Sequence, residues 1–468
     1  MALWNSVSTS QAIEAPTISG LTADEQEALN RLFKVWSDKL HRNRIKNRYY
    51  DGKNRLKDLG IAVPPNLRYV ETVVGWPAKA VDMLAARSRF DGFTFSSDAD
   101  SSALDAALAD NNFKTMYSRL VTSELINSCS FVTVSAGFQG EPEVVIIDHS
   151  ALWCSAIWDS RKKRIECGLV INACINSKPT VFTMFTDSAI IEAWTDGYRW
   201  KCDRVEHGIG RPLMEPLVYR PTIDRPFGKS RINRAVMSIT DSAVREALRT
   251  EISSEFFTTP QKYLIGTEND LLKDVNKWDA YIGNIFAVSK DGDGESPQFG
   301  QLPQGTMQPH MDYIRSLAAR FSGETCIPIS SLGVIHDNPS SAEAIYAAKE
   351  DLVIEAENLN ATNGNSLRNI GLICLAILNR CSIEDLPAEL KTISPRFKNP
   401  AMPSIVSQSD AMVKQASVAP YLAETEVFLE ELGYTEEQRT RILNEKKRSS
   451  AGFSLMRMME GNDAGSDV

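Results

Sequence analysis

The amino-acid sequence predicts an α+β fold, and three observations support that fold class. Apolar residues recur at helical spacing from Gly228 to Lys262, on one broad stripe. A second helical pattern continues for about forty residues across 341–382, roughly 60 Å at ~1.5 Å per residue. Between residues 131 and 194, short β-branched or aromatic runs separated by turn residues indicate a mostly antiparallel sheet.

Composition and charge exclude several classes of protein. The 468 residues fit two to four domains, and 43% hydrophobic with 24% charged residues is an ordinary globular balance. We expect no transmembrane helix, because eighteen apolar residues never run together, and no signal peptide, so that the chain folds in a cytoplasm. A net charge of −9 argues against a domain that holds DNA by its phosphates.

The N-terminal region is predicted to be helical after a mobile arm at residues 1–20. Thr22 and Glu25 form a capping-box pattern ahead of an amphipathic helix. Basic residues then mix with Tyr49 and Tyr50 across residues 41–57. Such mixing is typical of nucleic-acid sites, but we favour the alternative of a solvated helix face that ends at the Asp51-Gly52 turn.

A helix is predicted over 66–87, broken or bent at Trp76-Pro77, with further helices over 103–109 and 114–128. Six strands are then expected, at residues 131–135, 144–148, 152–158, 165–171, 181–185 and 190–194. With the preceding helices they form one α+β domain that ends near Pro221.

The helix beyond Gly228 has Ser230 at its expected N-cap and Pro260 at its end. Its apolar stripe includes Ile232, Val236, Ile239, Leu248, Ile252 and Phe256. A small insertion over 261–305 follows, with strands at 261–266, 284–289 and 298–302 and a helix at 268–280. The chain returns as a helix over 308–321.

An irregular stretch over 322–339 precedes the longest helix. Ser340 and Glu343 form a second capping-box pattern, and Asn363-Gly364-Asn365 is the expected kink. Residues 383–403 are irregular, and three helices are predicted at 406–416, 423–432 and 436–447, before a frayed tail.

No catalytic, cofactor or metal site is expected. Gly228-Lys229-Ser230 ends like a phosphate-binding loop, but Ile223 stands where that motif requires a glycine. Residues 291–295 lack the spacing of a calcium loop, and the five histidines have no ligand partners at metal spacing. The eight cysteines show no C-x-x-C pair and are interpreted as small apolar fillers.

The order of helix, insertion, helix, loop and giant helix resembles that of portal proteins of tailed double-stranded DNA bacteriophages, in particular siphophages of actinobacteria. The resemblance spans about residues 20–450. It is carried by Tyr49–Leu56, Leu59–Ile61, Pro64, Leu67-Arg68, Val73–Pro77, Val81-Asp82, Ala85–Arg87, Gly92-Phe93, Phe227–Ile232, Pro260–Lys262 and Asn338–Ile345.

This resemblance implies a division of the chain into named parts. They are a flexible arm (1–20), an α+β wing (21–227), a stem helix (228–258), a clip (259–307), a second stem helix (308–323), a tunnel loop (324–340), a long kinked wing helix (341–382), a helical crown (383–450) and a flexible tail (451–468).

The resemblance also implies a function. A ring, typically of twelve copies, would sit at one vertex of the phage head and pass double-stranded DNA without binding its sequence. It would be assembled in the host cytoplasm and would contact itself, the major capsid protein, the terminase large subunit and the head–tail adaptor, but no membrane. An acidic wall would leave phosphate few places to bind. The alternatives are a hydrolase with dispersed catalytic residues in the β-rich domain, or a cytoplasmic scaffold.

Three sets of residues would then have roles. The channel-facing tunnel loop would contain Gly333, Val334, Ile335, His336, Asp337 and Asn338, and the stripe from Ile232 to Phe256 would pack the stem against neighbouring copies. The clip would dock partners through Gln261, Lys262, Lys273 and Lys277. Acidic residues at the start of the long helix, among them Glu350 and Glu355, would either stabilise the helix dipole on a solvated face or form acidic rings near the axis.

Overall fold

The computed structural model describes residues 13–54, 72–96, 101–176, 178–258, 262–265, 298–301, 305–333, 342–401, 405–434 and 438–448. The chain divides into two units, Met1–Pro400 and Ala401–Val468. The first unit contains helices and several antiparallel sheets, in agreement with the predicted α+β class. None of the helices described is both long and apolar enough to cross a membrane.

The helices of the first unit are α1 (Ala23–Tyr50), α2 (Trp76–Ala85), α3 (Ser102–Asp110), α4 (Phe113–Asn127), α5 (Arg234–Thr258), α6 (Gln308–Thr325) and α7 (Ala342–Leu378). Its strands are β1 (Phe90–Thr94), β2 (Cys129–Ala136), β3 (Val144–Ser150), β4 (Cys154–Asp159), β5 (Arg164–Ile175), β6 (Lys178–Phe185), β7 (Ala189–Thr195), β8 (Trp200–Glu206), β9 (Met214–Val218), β10 (Lys262–Ile265), β11 (Gln298–Gln301) and β12 (Ser394–Phe397).

The sheet region is antiparallel, as predicted. Strands β4 to β8 form a five-stranded sheet in chain order, and β2 lies between β3 and β9 in a three-stranded sheet. Helix α1 packs on the first sheet through buried Leu29, Phe33 and Trp36, and the Trp36 indole donates to the Leu152 carbonyl at 2.9 Å. The six predicted strands are all present.

Four strands were not predicted, and each lacks the usual apolar alternation. Strand β8 is an exposed polar edge strand, and β9 is an edge strand that contains Pro216. Strands β1 and β12 pair with each other, Phe90 opposite Phe397. This pairing places residues 383–400 in the first unit, although the sequence analysis assigned them to the crown.

The N-terminal prediction is partly wrong. The Thr22–Glu25 capping box is present, and α1 runs without a break to its C-cap at Asp51. Residues 13–20, however, pack against α1 instead of forming part of a mobile arm. Ile18 is buried, and its backbone N–H donates to the Gln26 side chain at 3.1 Å. Residues 1–12 lie outside the described part.

Two predicted helix starts are also wrong. Helix α2 begins at Trp76 after non-helical residues 72–75, which favours the predicted break at Trp76-Pro77 over the bend. Pro77 has no N–H to donate and therefore suits the first turn of a helix. Helix α5 begins at Arg234, and Asn233 caps it by accepting the Val236 N–H at 2.9 Å. Ser230 instead donates its hydroxyl to the Ile126 carbonyl at 2.5 Å.

Helix α7 is α-helical through all 37 residues, about 55 Å, including the Asn363–Asn365 stretch where a kink was expected. Strands β10 and β11 pair with each other, Lys262 opposite Gln301. The other clip elements and the capping box at Ser340 lie outside the described residues.

In the second unit, helices α8 (Ile405–Val418), α9 (Glu426–Glu431) and α10 (residues 438–448) match the three predicted C-terminal helices. Arg439 of α10 is buried and contacts Glu430 of α9 at 2.9 Å. The predicted tail at 451–468 is outside the described part.

Candidate functional site

The two helices that flank the insertion converge with α7 on one buried arginine. We call this cluster, formed by Arg231, Tyr219 and Glu355, the stem root. The Arg231 side chain is 3% exposed, and its Nη1 lies 2.6 Å from Glu355 Oε2. It also donates to the Ala80 carbonyl at 2.6 Å and the Thr325 carbonyl at 2.6 Å. One guanidinium therefore joins α2, the end of α6 and α7.

Tyr219 completes the stem root from the end of β9. Its hydroxyl accepts from Arg231 Nη1 at 3.0 Å and donates to Glu355. Burial raises the pKa of Tyr219 above its ordinary value. Burial alone would lower the pKa of Arg231, but Tyr219 and Glu355 raise it overall, so the guanidinium stays charged. The half-exposed Arg220 reaches Glu355 from the surface at 2.6 Å.

Glu355 does not behave as the sequence analysis expected. It was grouped with acidic residues on a solvated face or near a channel axis, but it is buried in the stem root. Glu350, Asp351 and Glu357 on the same helix are exposed. The acidic start of α7 thus contains one internal ion-pair partner and a separate exposed set.

From the stem root towards the insertion, α5 and α6 pack against each other along the predicted apolar stripe. Ile232, Val236, Ile239 and Leu248 are buried within this single chain, Ile252 is half-buried, and the Phe256 side chain is outside the described part. The expectation that neighbouring copies alone cover the stripe is therefore wrong for its first half, because Leu317, Phe321 and the wing helices supply the cover.

Polar contacts fix the alignment of the two stem helices at both ends. Near the wing, Asn233 donates to Glu324 at 2.6 Å. Farther along, the His310 ring of α6 contacts Glu246 at 2.6 Å and Ser253 at 3.0 Å, both on α5. Glu246 is buried, and this contact gives its carboxylate a partner from α6.

A second polar cluster, the wing network, lies beneath α7. Glu124 of α4 is fully buried and accepts from Asn363 at 2.9 Å, while Asn363 also lies 3.4 Å from the Tyr117 hydroxyl. Ser88 bonds Tyr117 at 2.8 Å and Asn360 at 2.6 Å. Burial raises the pKa of Glu124 to about 8, so its carboxyl is protonated at neutral pH. Asn363, which was expected to mark a kink in the helix, instead contacts Glu124 and Tyr117 within this buried network.

The Gly228-Lys229-Ser230 segment has a structural role. Gly228 has φ +67°, and an added Cβ would stand 2.1 Å from the Tyr219 carbonyl oxygen, which accepts the Lys229 N–H at 3.0 Å. The glycine therefore allows close approach of two backbones just before the stem root.

The β-rich region gives no support to a hydrolase. His149 bonds the Thr133 hydroxyl at 2.8 Å, and burial lowers the pKa of His149 to about 4. In the described part of the chain no three His, Cys, Asp or Glu side chains are grouped to hold a metal ion. All eight cysteines are free thiols, and burial raises the pKa of Cys374 to about 12.

Of the other predicted site residues, Gly333 ends a short 3-10 turn with φ +84°, and Lys262 opens β10. Gln261, Lys273, Lys277, Val334, Ile335, His336, Asp337 and Asn338 lie outside the described residues. No role for Arg231, Tyr219 or Glu124 follows from the sequence alone. The only signal for Arg231 was its place in the Phe227–Ile232 motif.

Comparison with known proteins gives one matching family model and two curated relatives. The model described as phage portal protein, SPP1 Gp6-like, matches residues 29–450. The chain is 24% identical over 435 residues to the portal protein of Mycobacterium phage L5, covering 89% of this chain and 87% of the relative. It is 23% identical over 462 residues to that of Mycobacterium phage D29, covering 94% and 93%.

Solved structures that match this chain include the neck of an empty gene transfer agent particle. That match has a TM-score of 0.45 and 12% identity, and it covers 74% of this chain and 86% of that one. The virion of the native particle gives a TM-score of 0.42 and 13% identity over 73% and 86%.

Proposed function

Because the chain belongs to the SPP1 Gp6-like family of phage portal proteins, we propose that its copies form a ring, twelve being the expected number, whose axis is a channel for double-stranded DNA. As a portal protein it is a structural component of the virion at the capsid vertex and not an enzyme. The ring, the channel and the partners named below are the proposal.

The observation that carries the proposal is the extent of the family match. Residues 29–450 include both stem helices, the insertion and α7. Among the described residues α5 and α6 are antiparallel neighbours, and β10 and β11 lie between them in the chain. The stem root holds this pair against the wing.

The stem supports assembly in its outer half. Ile252 of α5 is half-buried, and Met311 and Tyr313 of α6 are exposed. Apolar side chains at this position favour contact with another copy. The half near the wing is already covered, so neighbouring copies meet on the outer half of the stem.

Partners are assigned by position. The clip, which includes Gln261, Lys262, Lys273 and Lys277, docks the terminase large subunit during packaging and the head–tail adaptor afterwards. Among the described strands β10 and β11 pair only with each other, which leaves edges that a partner strand can extend. The wing contacts the major capsid protein.

Electron microscopy and native mass spectrometry of the purified full chain test the ring. The expected result is a closed particle of twelve copies with a central hole. Monomers or open aggregates at all concentrations would contradict the proposal.

The channel is tested separately through the tunnel loop, residues 324–340. Asp337→Lys adds a phosphate contact per copy, so DNA packaging or ejection should slow at low salt and recover as salt is raised. Asp110→Lys, an exposed wing position on α3, is the matched control. Equal behaviour of both variants would mean that residue 337 does not face DNA.

A further inference from the structure

A cationic cleft lies between α1, the loop before α5 and the start of β2. Its volume is about 740 Å³. Six basic side chains line it against one acidic residue, Asp224; they are Lys39, Arg42, Lys46, Arg225, Lys229 and Arg234. In the part of the chain that the structure describes, none of the six forms an ion pair with a carboxylate. Uncompensated charge at this density favours an anionic partner.

The floor of the cationic cleft is apolar. It includes the buried Phe131 and the half-buried Phe227 and Met237. Lys46 stands between floor and rim and donates to the Asn127 carbonyl at 3.1 Å. Burial, and then the nearby charges of Arg42 and Lys39, lower the pKa of Lys46 to about 8. The cleft therefore suits a segment with an apolar side chain flanked by carboxylates.

The same chain presents such a segment in the turn between β2 and β3. We call residues 136–143 the hairpin tip. Phe138 at the tip is 75% exposed, and Glu141 and Glu143 beside it are exposed. Neither carboxylate forms an ion pair within the described residues. The hairpin tip thus presents an exposed aromatic ring beside two carboxylates that have no ion-pair partner among the described residues.

The hairpin tip is held in one shape. The Phe138 N–H donates to the Glu141 carboxylate at 3.0 Å, and the Glu141 N–H donates to the Phe138 carbonyl at 3.0 Å. Gly137 closes the hairpin by donating to the Glu143 carbonyl at 3.0 Å. Because the hairpin tip is already held in this shape, it loses little conformational entropy on binding.

The hairpin tip and the cationic cleft cannot contact each other within one chain. Cys129 and Phe131 at one end of β2 belong to the cleft, while Ala136 at the other end leads into the hairpin tip. Seven steps along a strand separate the ends by roughly 24 Å. Complementary surfaces at two separate places on one chain produce head-to-tail contacts, which close into a ring when the rotation allows.

We propose that the hairpin tip of one copy docks in the cationic cleft of the next, with Phe138 on the apolar floor and Glu141 and Glu143 facing the basic rim. This inference rests on the proposed ring. A nucleic-acid strand is the competing occupant. It is less favoured because Tyr49 and Tyr50 of α1, which could supply aromatic rings for stacking on bases, do not line the cleft.

Charge reversal in two full-length variants tests the contact. The tip variant is Glu141→Lys with Glu143→Lys. The cleft variant is Arg42→Glu with Arg225→Glu and Lys229→Glu, which leaves three basic against four acidic side chains in the lining. Arg42, Arg225 and Lys229 are exposed, so these changes leave the fold intact. Each variant alone should need roughly tenfold or more protein to form rings, because like charges now face each other.

An equimolar mixture of the two variants should form rings like the wild type. In alternating order every tip meets a cleft of opposite charge, which also requires an even number of copies. Phe138→Ser, which leaves all charges in place, should weaken assembly by about tenfold through loss of the apolar anchor. Thermal unfolding of the single chains checks that each variant is folded.

The control is Glu384→Lys with Glu389→Lys, a charge change equal to that of the tip variant at exposed residues beyond α7, which should form normal rings. If the wild type forms rings and the tip variant does too, the docking contact is wrong while the proposed function stands. Loss of rings in both variants without rescue in the mixture would show that the two surfaces do not meet. A cleft variant that forms normal rings but no longer retains a DNA fragment would assign the cleft to nucleic acid. A wild type without rings would remove the proposed function itself.

Discussion

Replacing Arg231 with methionine tests how much of the structure depends on the stem root. The substitution keeps most of the side-chain volume but removes the charge that faces Glu355 and the donors to the Ala80 and Thr325 carbonyls. Breaking a buried ion pair from one side costs about 3–5 kcal/mol, and each buried carbonyl left without a donor adds about 1 kcal/mol or more. We expect a loss of about 5 kcal/mol in the free energy of unfolding, a large part of the ~5–15 kcal/mol that holds a typical domain together.

Denaturant unfolding of single chains, below the concentration at which rings form, measures this loss through tryptophan fluorescence. Arg231→Lys should recover little, because one ammonium cannot reach acceptors on three elements at once. Arg231→Met combined with Glu355→Met should be at least 2 kcal/mol more stable than the sum of the two single losses predicts, since no charge stays buried. A loss below about 1 kcal/mol for Arg231→Met, or strict additivity in the double variant, would refute the role of the stem root.

Three further predictions concern other positions. The pKa of Glu124 lies near 8 in the folded chain against 4.5 for an unperturbed glutamate, so the folded state keeps a proton that the unfolded state releases. Stability should therefore fall by up to about 5 kcal/mol as pH rises from 4.5 to 8, and Glu124→Gln should flatten that slope in pH-dependent unfolding. Gly228→Ala should cost about 3 kcal/mol because its Cβ would meet a backbone oxygen, whereas Gly197→Ala, at a similar φ but in open space, should cost about 1 kcal/mol in the same unfolding assay. Ile239→Asp should unfold the single chain, since residue 239 is 5% exposed, whereas Ile252→Asp should leave the chain folded by circular dichroism and reduce ring formation; equal behaviour of the two variants would contradict the division of the stem into covered and uncovered halves.

The elements that the sequence predicted well are those fixed by neighbouring residues. The Thr22–Glu25 capping box and the stop at Asp51-Gly52 are local features, and both are present. The start of α5 was misplaced because Ser230 and Asn233 are both good N-cap residues. The choice between them depends on the Ile126 carbonyl, which binds the Ser230 hydroxyl from a distant part of the chain.

The polar clusters could not be predicted for the same reason. Arg231 and Glu355 stand on what look like ordinary charged helix faces, and only the packed structure shows that both are buried together. Likewise Asn363 was interpreted through its local effect on a helix, while its partner Glu124 lies in α4. The acidic residues of α7 therefore could not be divided into internal and exposed ones from their spacing alone.

The pairing of β1 with β12 sets an order for folding during synthesis. Thr94 and Ser394 are 300 residues apart, yet their strands close one small sheet of the wing. At ~5–20 residues per second the ribosome needs roughly 15–60 s to make the partner of β1. Throughout that interval Phe90 lacks its ring contact with Phe397 and β1 lacks its partner strand, so a nascent chain cannot complete its wing. Completion of the wing thus reports that translation has passed the stem, the insertion and the long helix, and incomplete chains do not yet have a finished surface with which to join other copies.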